Sequence, residues 1–396
     1  MEIGHPGLVD KLVARITHDG PLSFADFMEA ALYDSEFGYY MAPGPRIGPK
    51  GDYYTSLDVH PIFAELIGRQ VTQAAGPISA SGDFTIMELG AGKGLLARHL
   101  LDSYRRENPA FLSRIRYILI ERSPAMIAAQ QAHLRPLQDQ GMSIVWAPDL
   151  SAFTAESVTG VILSNELVDA FPVHRVVMRP LGLREIYVGW DGSRFIEIEA
   201  PPFSSELETY FERIGIALEV GQRAEVNLPA LAWMRQTGAL LRKGLVVTID
   251  YGHTAADLYA ASRKTGTLLC YHRHRVSDTP YLRVGHQDMT AHVDFTSLAL
   301  AGREAGLAVT GFTNQLHFLM GLGIESAFEG IEPESPDAVA MRNLLKPDGM
   351  GTTYKVLVQH KGMPSPQLDG LRSRPFFLDA LQTGRTTNRA MEAASR

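Results

Sequence analysis

Cysteine is almost missing: the 396 residues contain one, Cys270. A single thiol forms no intrachain disulfide, which excludes a small secreted disulfide scaffold and fits a reducing compartment. Long apolar runs are missing too. No stretch approaches the roughly 18 uninterrupted apolar residues of a membrane span. Residues 1–20 lack the apolar core of a signal peptide, and Glu2 and Asp10 weigh against a transit peptide. The expectation is a soluble cytoplasmic chain with no membrane insertion, or a matrix one in a mitochondrial relative. Positive charge is in deficit, with 37 Lys and Arg against 44 Asp and Glu and a net charge of -7, so no global field gathers nucleic acid or anionic lipid. A basic or neutral partner fits better. The balance of 45% apolar and 20% charged residues excludes wholesale disorder or coiled coil. At about 150 residues per core, the length suits two or so core-forming units. Internal repeats are absent.

Ser23 and Asp26 form an S-x-x-D start signal ahead of Phe24, Phe27, Met28, Ala31 and Leu32, predicting a helix over 24–33. A Gly-, Pro- and Tyr-rich stretch follows to residue 56, long for a mere connection and therefore a candidate functional loop. Residues 60–75 carry helical periodicity. From Phe84 the pattern changes to short apolar runs alternating with helical segments, the signature of a doubly wound parallel sheet. Strands are predicted at 84–89, 117–120, 143–146, 160–164 and 245–250, with late strands at 307–313 and 354–359. Ser123-Pro124 opens a helix over 124–134 as N-cap and first-turn proline. An insertion at 172–230 begins with strand-like runs (174–178, 185–190, 195–198) broken by Leu181-Gly182 and Asp191-Gly192, which predicts a small β-meander. A second insertion, 252–293, is rich in His, Arg, Tyr and Gly and has little periodicity before a helix at 295–305. The division is then an N-terminal extension (1–80), a Rossmann-like α/β domain (81–362) carrying both insertions, and a polar tail (363–396) in which Phe376, Phe377 and Leu378 could dock.

Residues 86–94, I-M-E-L-G-A-G-K-G, run from a strand through a glycine turn into a helix over 95–105. Gly90, Gly92 and Gly94 permit a tight turn and let a ligand approach the backbone at a helix N-terminus. Position 95 is Leu, so the dinucleotide spacing G-x-G-x-x-G is not met. Glu121 ends the next strand, where a carboxylate accepts hydrogen bonds from a ribose diol. Nicotinamide and adenosyl cofactors both carry that diol, and these residues alone do not separate them.

Glu88 ahead of the three glycines, with Glu121 closing the second strand, resembles the class I S-adenosylmethionine-dependent methyltransferases, whose sheet has seven strands. The resemblance places Glu88, Gly90, Ala91, Gly92, Gly94, Glu121, Asp149, Leu150 and Asn165 at the cofactor. Further segments resemble one branch, the MidA-like proteins: A-L-Y-D-S-E-F-G-Y-Y (31–40), G-D-Y-Y-T-S-L-D-V (51–59), S-N-E-L-V-D-A-F-P-V (164–173), D-Y-G-H (250–253) and D-M-T-A-H-V-D-F-T-S-L (288–298). Tyr53 and Leu57-Asp58 stand where that branch leads one to expect Phe and Pro-Glu. Mitochondrial members of this branch assist respiratory complex I assembly as protein arginine methyltransferases. The resemblance therefore implies S-adenosyl-L-methionine as cofactor, a complex I type subunit as protein substrate, and symmetric ω-dimethylarginine as product.

Glu166 and Asp169 follow the fourth strand, at the carboxyl ends where such sheets bind ligands. A guanidinium stays protonated below about pH 12.5, so methylating it needs acceptors that localise its charge and present one nitrogen. Paired carboxylates do this. Each of the two could instead serve structure, Asp169 as a helix cap and Glu166 in an ion pair. Asp52, with Tyr53 and Tyr54, is a further catalytic candidate that would face the substrate, and 250–252 a candidate opposite wall. The strand end lacks the Asn-Pro-Pro-aromatic tetrad of adenine-N6 DNA methyltransferases. Cys270, His272, His274, His286 and His292 fit no recognised metal spacing, so no metal is expected. Arg273, Arg275 and Arg283 suit a solvated face or contacts to an acidic partner. Two alternatives stay open: methyl transfer to another nucleophile, and a non-catalytic cofactor-binding assembly chaperone.

Overall fold

The computed structural model describes residues 3–42, 48, 51–52, 55–79, 82–373 and 381. Tyr53, Tyr54, Phe376, Phe377 and Leu378 lie outside the described residues.

Helix α1 (Pro6–Asp19) precedes α2 (Phe24–Tyr33), which starts as its sequence predicts: Ser23 Oγ accepts from the Asp26 N–H at 3.0 Å, and Phe24, Phe27, Met28, Ala31 and Leu32 are buried. A one-turn helix, Ser56–Val59, stands at the end of the Gly- and Tyr-rich stretch, closed by a capping box between Thr55 and Asp58. Helix α3 (Ile62–Ile78) runs three residues past the predicted 75, carrying Pro77 in its last turn at the cost of one backbone hydrogen bond.

The central sheet comprises β1 (Phe84–Leu89), β2 (Ile115–Ile120), β3 (Ser143–Ala147) and β4 (Val158–Asn165), then, beyond the first insertion, β9 (Leu241–His253), β13 (Ala308–Asn314) and β14 (Tyr354–Lys361). Its order is β13–β14–β9–β4–β1–β2–β3, parallel except at β14, which lies antiparallel to β9 and β13. An eighth, two-residue strand, Val293–Asp294, pairs with the end of β9. Gly252 makes that approach possible, since a Cβ there would lie 2.2 Å from the Val293 carbonyl oxygen. Strands β1, β2 and β4 are mostly apolar on both faces because helices cover both. α3, α4 (Leu95–Glu107) and α5 (Pro124–Gln138) pack on one face, with α6 (Leu228–Leu240) and α7 (Phe295–Glu304) on the other.

The first insertion forms the expected meander of β5 (His174–Arg179), β6 (Gly182–Trp190) and β7 (Phe195–Ala200), but β8 (Arg223–Val226) and the strand Leu22–Ser23 enlarge it to five strands. The second insertion is more regular than its sequence suggests, because β10 (Leu269–His272), β11 (Arg275–Ser277) and β12 (Asp288–Thr290) form a three-stranded antiparallel sheet. These strands are too short to show a period. A third core, with Phe27, Met28, Val188, Phe195, Cys270 and Met289, ties α1 and α2 to both insertions, and Tyr33 at the end of α2 donates to the Ala170 carbonyl at 3.0 Å, beyond the carboxyl ends of β1 and β4.

Candidate active site

At those strand ends a cavity of about 420 Å³ opens, lined on one side by the glycine turn, Glu121, Asp149, Leu150, Asn165 and Glu166, and on the other by Glu29, Tyr33, Tyr40, Thr55 and Leu57. Its volume suits a ligand of cofactor size. Gly90, Gly92 and Gly94 have φ of 69°, 52° and 77°, the left-handed region that glycine adopts without strain. A Cβ on Gly90 would also lie 2.6 Å from Leu167 Cδ1. Gly90, Ala91 and Gly92 line the cavity, whereas Gly94 sits just behind it as the N-cap of α4, against Gln130.

Glu121 accepts from the Ser123 N–H at 2.9 Å and from Gln130 Nε2 at 3.2 Å, and burial raises its pKa. Gln130 is fully buried on α5, donates also to the Gly92 carbonyl at 2.9 Å, and accepts from Trp146 Nε1 at 2.9 Å. One amide thus ties the glycine turn to the acid of the next strand. Sequence reasoning passed over it, since a glutamine within a helix carries no local signal. Asp149 and Leu150 line the far wall, where Asp149 caps the turn through the Ser151 N–H at 2.7 Å. Two clasps reach over the cavity from the N-terminal segment. Lys93 pairs with Asp58, and Arg122 bonds Glu29 at 3.2 Å while stacking over Tyr33 at 3.4 Å.

Two expected site residues lie elsewhere. Glu88 alternates away from Leu89 and buries its carboxyl beneath the turn, accepting from Tyr117 Oη at 2.6 Å and from the Ala97 N–H. Burial pushes its pKa up to about 8, so Glu88 supports the turn from below and does not line the cavity. Asp52 also stands off the cavity wall. Its carboxylate accepts from Tyr39 Oη at 2.7 Å and the Arg273 N–H at 2.5 Å, which turns it toward the second insertion.

Glu166 ends β4 with φ 52°, a left-handed conformation that turns its side chain into the cavity. It accepts from the Ser56 N–H at 3.1 Å, Asn165 Nδ2 at 3.0 Å and Tyr354 Oη at 2.8 Å, and desolvation pushes its pKa up to about 8. Asp169 lies behind the wall, bonded by Tyr251 Oη through one oxygen, while its Oδ1 is buried without a partner. Asp250 receives the Leu167 and Val168 N–H groups at 3.2 and 2.9 Å, fixing the turn that carries Glu166 and Asp169. Asp288, at the start of β12, accepts from Tyr40 Oη at 2.7 Å, and burial together with Asp169 pushes its pKa up to about 7. Among the described residues none of these four carboxylates has a Lys or Arg ion-pair partner. Asp288, Tyr40, Tyr251 and Tyr354 were not singled out as site residues, although 250–252 was expected as the opposite wall.

Cys270 is buried, its thiol pushed up to about 12 by desolvation, and among the described residues no three His, Cys, Asp or Glu are grouped to hold a metal ion. No described helix is long and apolar enough to cross a membrane.

The seven-strand order and a glycine turn beside an acid on the same cavity wall meet the chemistry of an adenosyl cofactor. A family model described as "putative S-adenosyl-L-methionine-dependent methyltransferase" matches residues 66–313. The chain belongs to that family. It is similar to the crystal structure of a Burkholderia thailandensis protein bound to S-adenosyl-homocysteine, with a TM-score of 0.84 and 30% identity over 93% of this chain and 95% of that one. Among proteins of known name it is 26% identical to the mitochondrial protein arginine methyltransferase NDUFAF7 homolog of Drosophila melanogaster, over 93% of this chain and 88% of that protein. It is 25% identical to NDUFAF7 of Homo sapiens, also named a mitochondrial protein arginine methyltransferase, over 92% of this chain and 87% of that one. This methyltransferase therefore uses S-adenosyl-L-methionine, which when bound supplies a methyl group already activated on a sulfonium. The residues present fit it. Glu121 would offer acceptors to the ribose diol, the turn would offer backbone to the amino acid part, and Leu150 with Ile120, on the same cavity wall, would offer apolar surface to the adenine.

Proposed function

We propose that this methyltransferase acts on the guanidinium nitrogens of arginine in a protein, forming symmetric ω-dimethylarginine on a subunit of the respiratory complex I type. One observation carries the reading of the acceptor: Glu166, Asp169, Asp250 and Asp288 gather beside the cofactor cavity, and none has a cationic partner among the described residues. Burial raises the pKa of each, and a neighbouring carboxylate raises it further at Glu166, Asp250 and Asp288. A cation entering the well favours their charged forms, and a planar guanidinium matches carboxylates bidentately. The names of the mitochondrial relatives support the same acceptor. The product's symmetry and the complex I type of substrate follow from the MidA-like resemblance.

Glu166, held by Tyr354, Ser56 and Asn165, reaches into the cavity and is the carboxylate placed to hold the reacting nitrogen. Asp169, with one free oxygen and Tyr251 on the other, anchors the far side of the guanidinium. That nitrogen would give its electron pair to the methyl carbon as the carbon–sulfur bond breaks and leaves its pair on sulfur, releasing S-adenosyl-homocysteine, and the nitrogen would lose a proton that Glu166 is placed to accept. Asp250 keeps the two acids in register through the backbone.

The test is incubation of the protein with heavy-methyl S-adenosylmethionine and an extract of cells lacking it, followed by mass spectrometry of labelled residues. Heavy symmetric dimethylarginine on a respiratory subunit is expected. Label on another side chain, or S-adenosylmethionine binding without any labelled product, overturns the reading.

A further inference from the structure

The hairpin β10–β11 turns in two residues, Arg273 and His274, because His272 pairs with Arg275. Both turn residues have positive φ, 50° and 58°, as a type I′ turn requires. Asn-Gly makes that turn without strain, whereas a side chain such as Arg is strained in the left-handed region. The surroundings impose the conformation: the Arg273 N–H donates to Asp52 Oδ1 at 2.5 Å, and the His274 N–H to the Asp52 carbonyl at 3.1 Å. What this strained, anchored turn presents is charge. Arg273, His274 and Arg275 are all exposed, Val276 beside them is 57% exposed, and among the described residues neither guanidinium has an ion-pair partner. On a chain of net charge -7, this is a local reversal of sign.

Its position matters as much as its charge. Tyr271 on β10 pairs with Asp288 on β12, so the tip begins two residues along from the acidic well, at about 3.3 Å per residue. Adjacent tyrosines fasten both features, with Tyr39 Oη on Asp52 at the base of the tip and Tyr40 Oη on Asp288 in the well. We infer that the β10–β11 tip is a docking arm for acidic residues that flank the acceptor arginine in the substrate protein, Arg273 and Arg275 supplying the recognition. This rests on the arginine reading above and deepens it. A substrate chain that sends its arginine into the well has neighbours about 3.3 Å apart along an extended backbone, so an Asp or Glu two to four positions away meets the tip. An acidic well beside a basic arm selects an arginine next to an acid and rejects a basic tract, through attraction at one point and repulsion at the other.

The experiment compares the full-length protein with a triple variant, R273N/H274G/R275Q, in the heavy-methyl labelling of extract proteins. Asn-Gly keeps the turn and relieves its strain, so fold and S-adenosyl-homocysteine affinity, measured by calorimetry, are retained. The labelled arginines of the unaltered protein are expected to carry an Asp or Glu within four residues. At limiting substrate the variant is expected to label them about tenfold more slowly, and its rate to lose most of its dependence on salt. R275Q alone lies outside the turn and reads the same property if the triple variant misfolds. R275E is expected to recover labelling of an acceptor peptide whose flanking acid is changed to Lys. Labelled arginines without acidic neighbours, or a variant that labels at the unaltered rate, overturns the inference and leaves the arginine reading standing. Label on no arginine at all overturns both.

Discussion

Replacing Glu166 with Gln separates what the acidic well costs from what it does. Glu166 has its pKa pushed from 4.5 to about 8 by desolvation, against the pull of Tyr354 and the Ser56 N–H. A carboxyl whose folded pKa lies above its unfolded value holds its proton in the native state where the unfolded chain has lost it. Stability is therefore fully present below about pH 4.5 and falls as the pH rises toward 8. At about 1.4 kcal/mol per pH unit, the gap amounts to roughly 5 kcal/mol. Glu166 faces the cavity and reaches water there, so about half of that, roughly 2 kcal/mol, is the working figure. Gln has the same shape, keeps one oxygen to accept from the Ser56 N–H and Asn165 Nδ2, sets an NH2 against Tyr354 Oη, whose hydroxyl then accepts, and carries no charge to bury. With an unfolding entropy of about 2.1 cal/mol/K per residue over 396 residues, roughly 2 kcal/mol corresponds to a rise in Tm of about 2–3 °C. Glu166→Gln is thus expected to melt with the unaltered protein at pH 5 and 2–3 °C higher at pH 9, while methyl transfer falls about 100-fold and S-adenosyl-homocysteine affinity stays within about threefold. Differential scanning calorimetry at the two pH values, with the labelling assay beside it, reads all three. A variant that melts lower at pH 9, or transfers methyl at the normal rate, refutes the reasoning.

Gly90→Ala is expected to lower cofactor affinity at least tenfold, as measured by calorimetry with S-adenosyl-homocysteine, because its φ is 69° and the new Cβ meets Leu167 at 2.6 Å. Gln130→Leu removes partners from the Gly92 carbonyl, Trp146 Nε1 and Glu121 together, and an affinity loss of about tenfold is expected, with a lower Tm. Glu88→Gln and Glu121→Gln form a contrasting pair in the same titration. The buried support at Glu88 tolerates the neutral isostere within about twofold, while loss of the charged acceptor at Glu121 weakens binding about tenfold, and equal effects would contradict the placement of Glu88 off the cavity.

The parts of this fold that were legible in the sequence are those that local physics decides. The apolar run 84–89 sits between two sheet neighbours and under helices on both faces, so it reads as a strand whatever surrounds it. Ser23 and Ser123 mark helix starts because an N-cap is written in adjacent residues. The glycine turn and Glu121 are legible for the same reason, each standing at the end of a strand that its own residues define. Glu88 shows the limit of that reading. It neighbours the turn in sequence, but strand alternation places its side chain on the opposite face from Leu89, beneath the turn and not in the cavity.

The acidic well draws on residues no local pattern connects. Tyr40 comes from the chain before α3, Glu166 and Asp169 from the end of β4, Asp250 from β9, Asp288 from the second insertion and Tyr354 from β14. Pairs more than 180 residues apart, Tyr40 with Asp288 and Glu166 with Tyr354, meet only after the whole sheet has formed. The well also depends on each carboxylate lacking a cation, a property of the assembled surface and not of any motif. Such a cluster stays under strain until a ligand relieves it, and its members bias one another: the charge on Asp169 raises the pKa of both Asp288 and Asp250. A guanidinium entering the well acts on all of them at once. Its affinity is therefore expected to rise with pH between about 5 and 8, as the carboxyls give up the protons they hold in the free protein, and to level off once they are ionised. Titration with an acceptor peptide identified by the labelling assay, across that range and with S-adenosyl-homocysteine bound, measures the slope. A binding constant independent of pH would mean that these buried acids serve the fold alone.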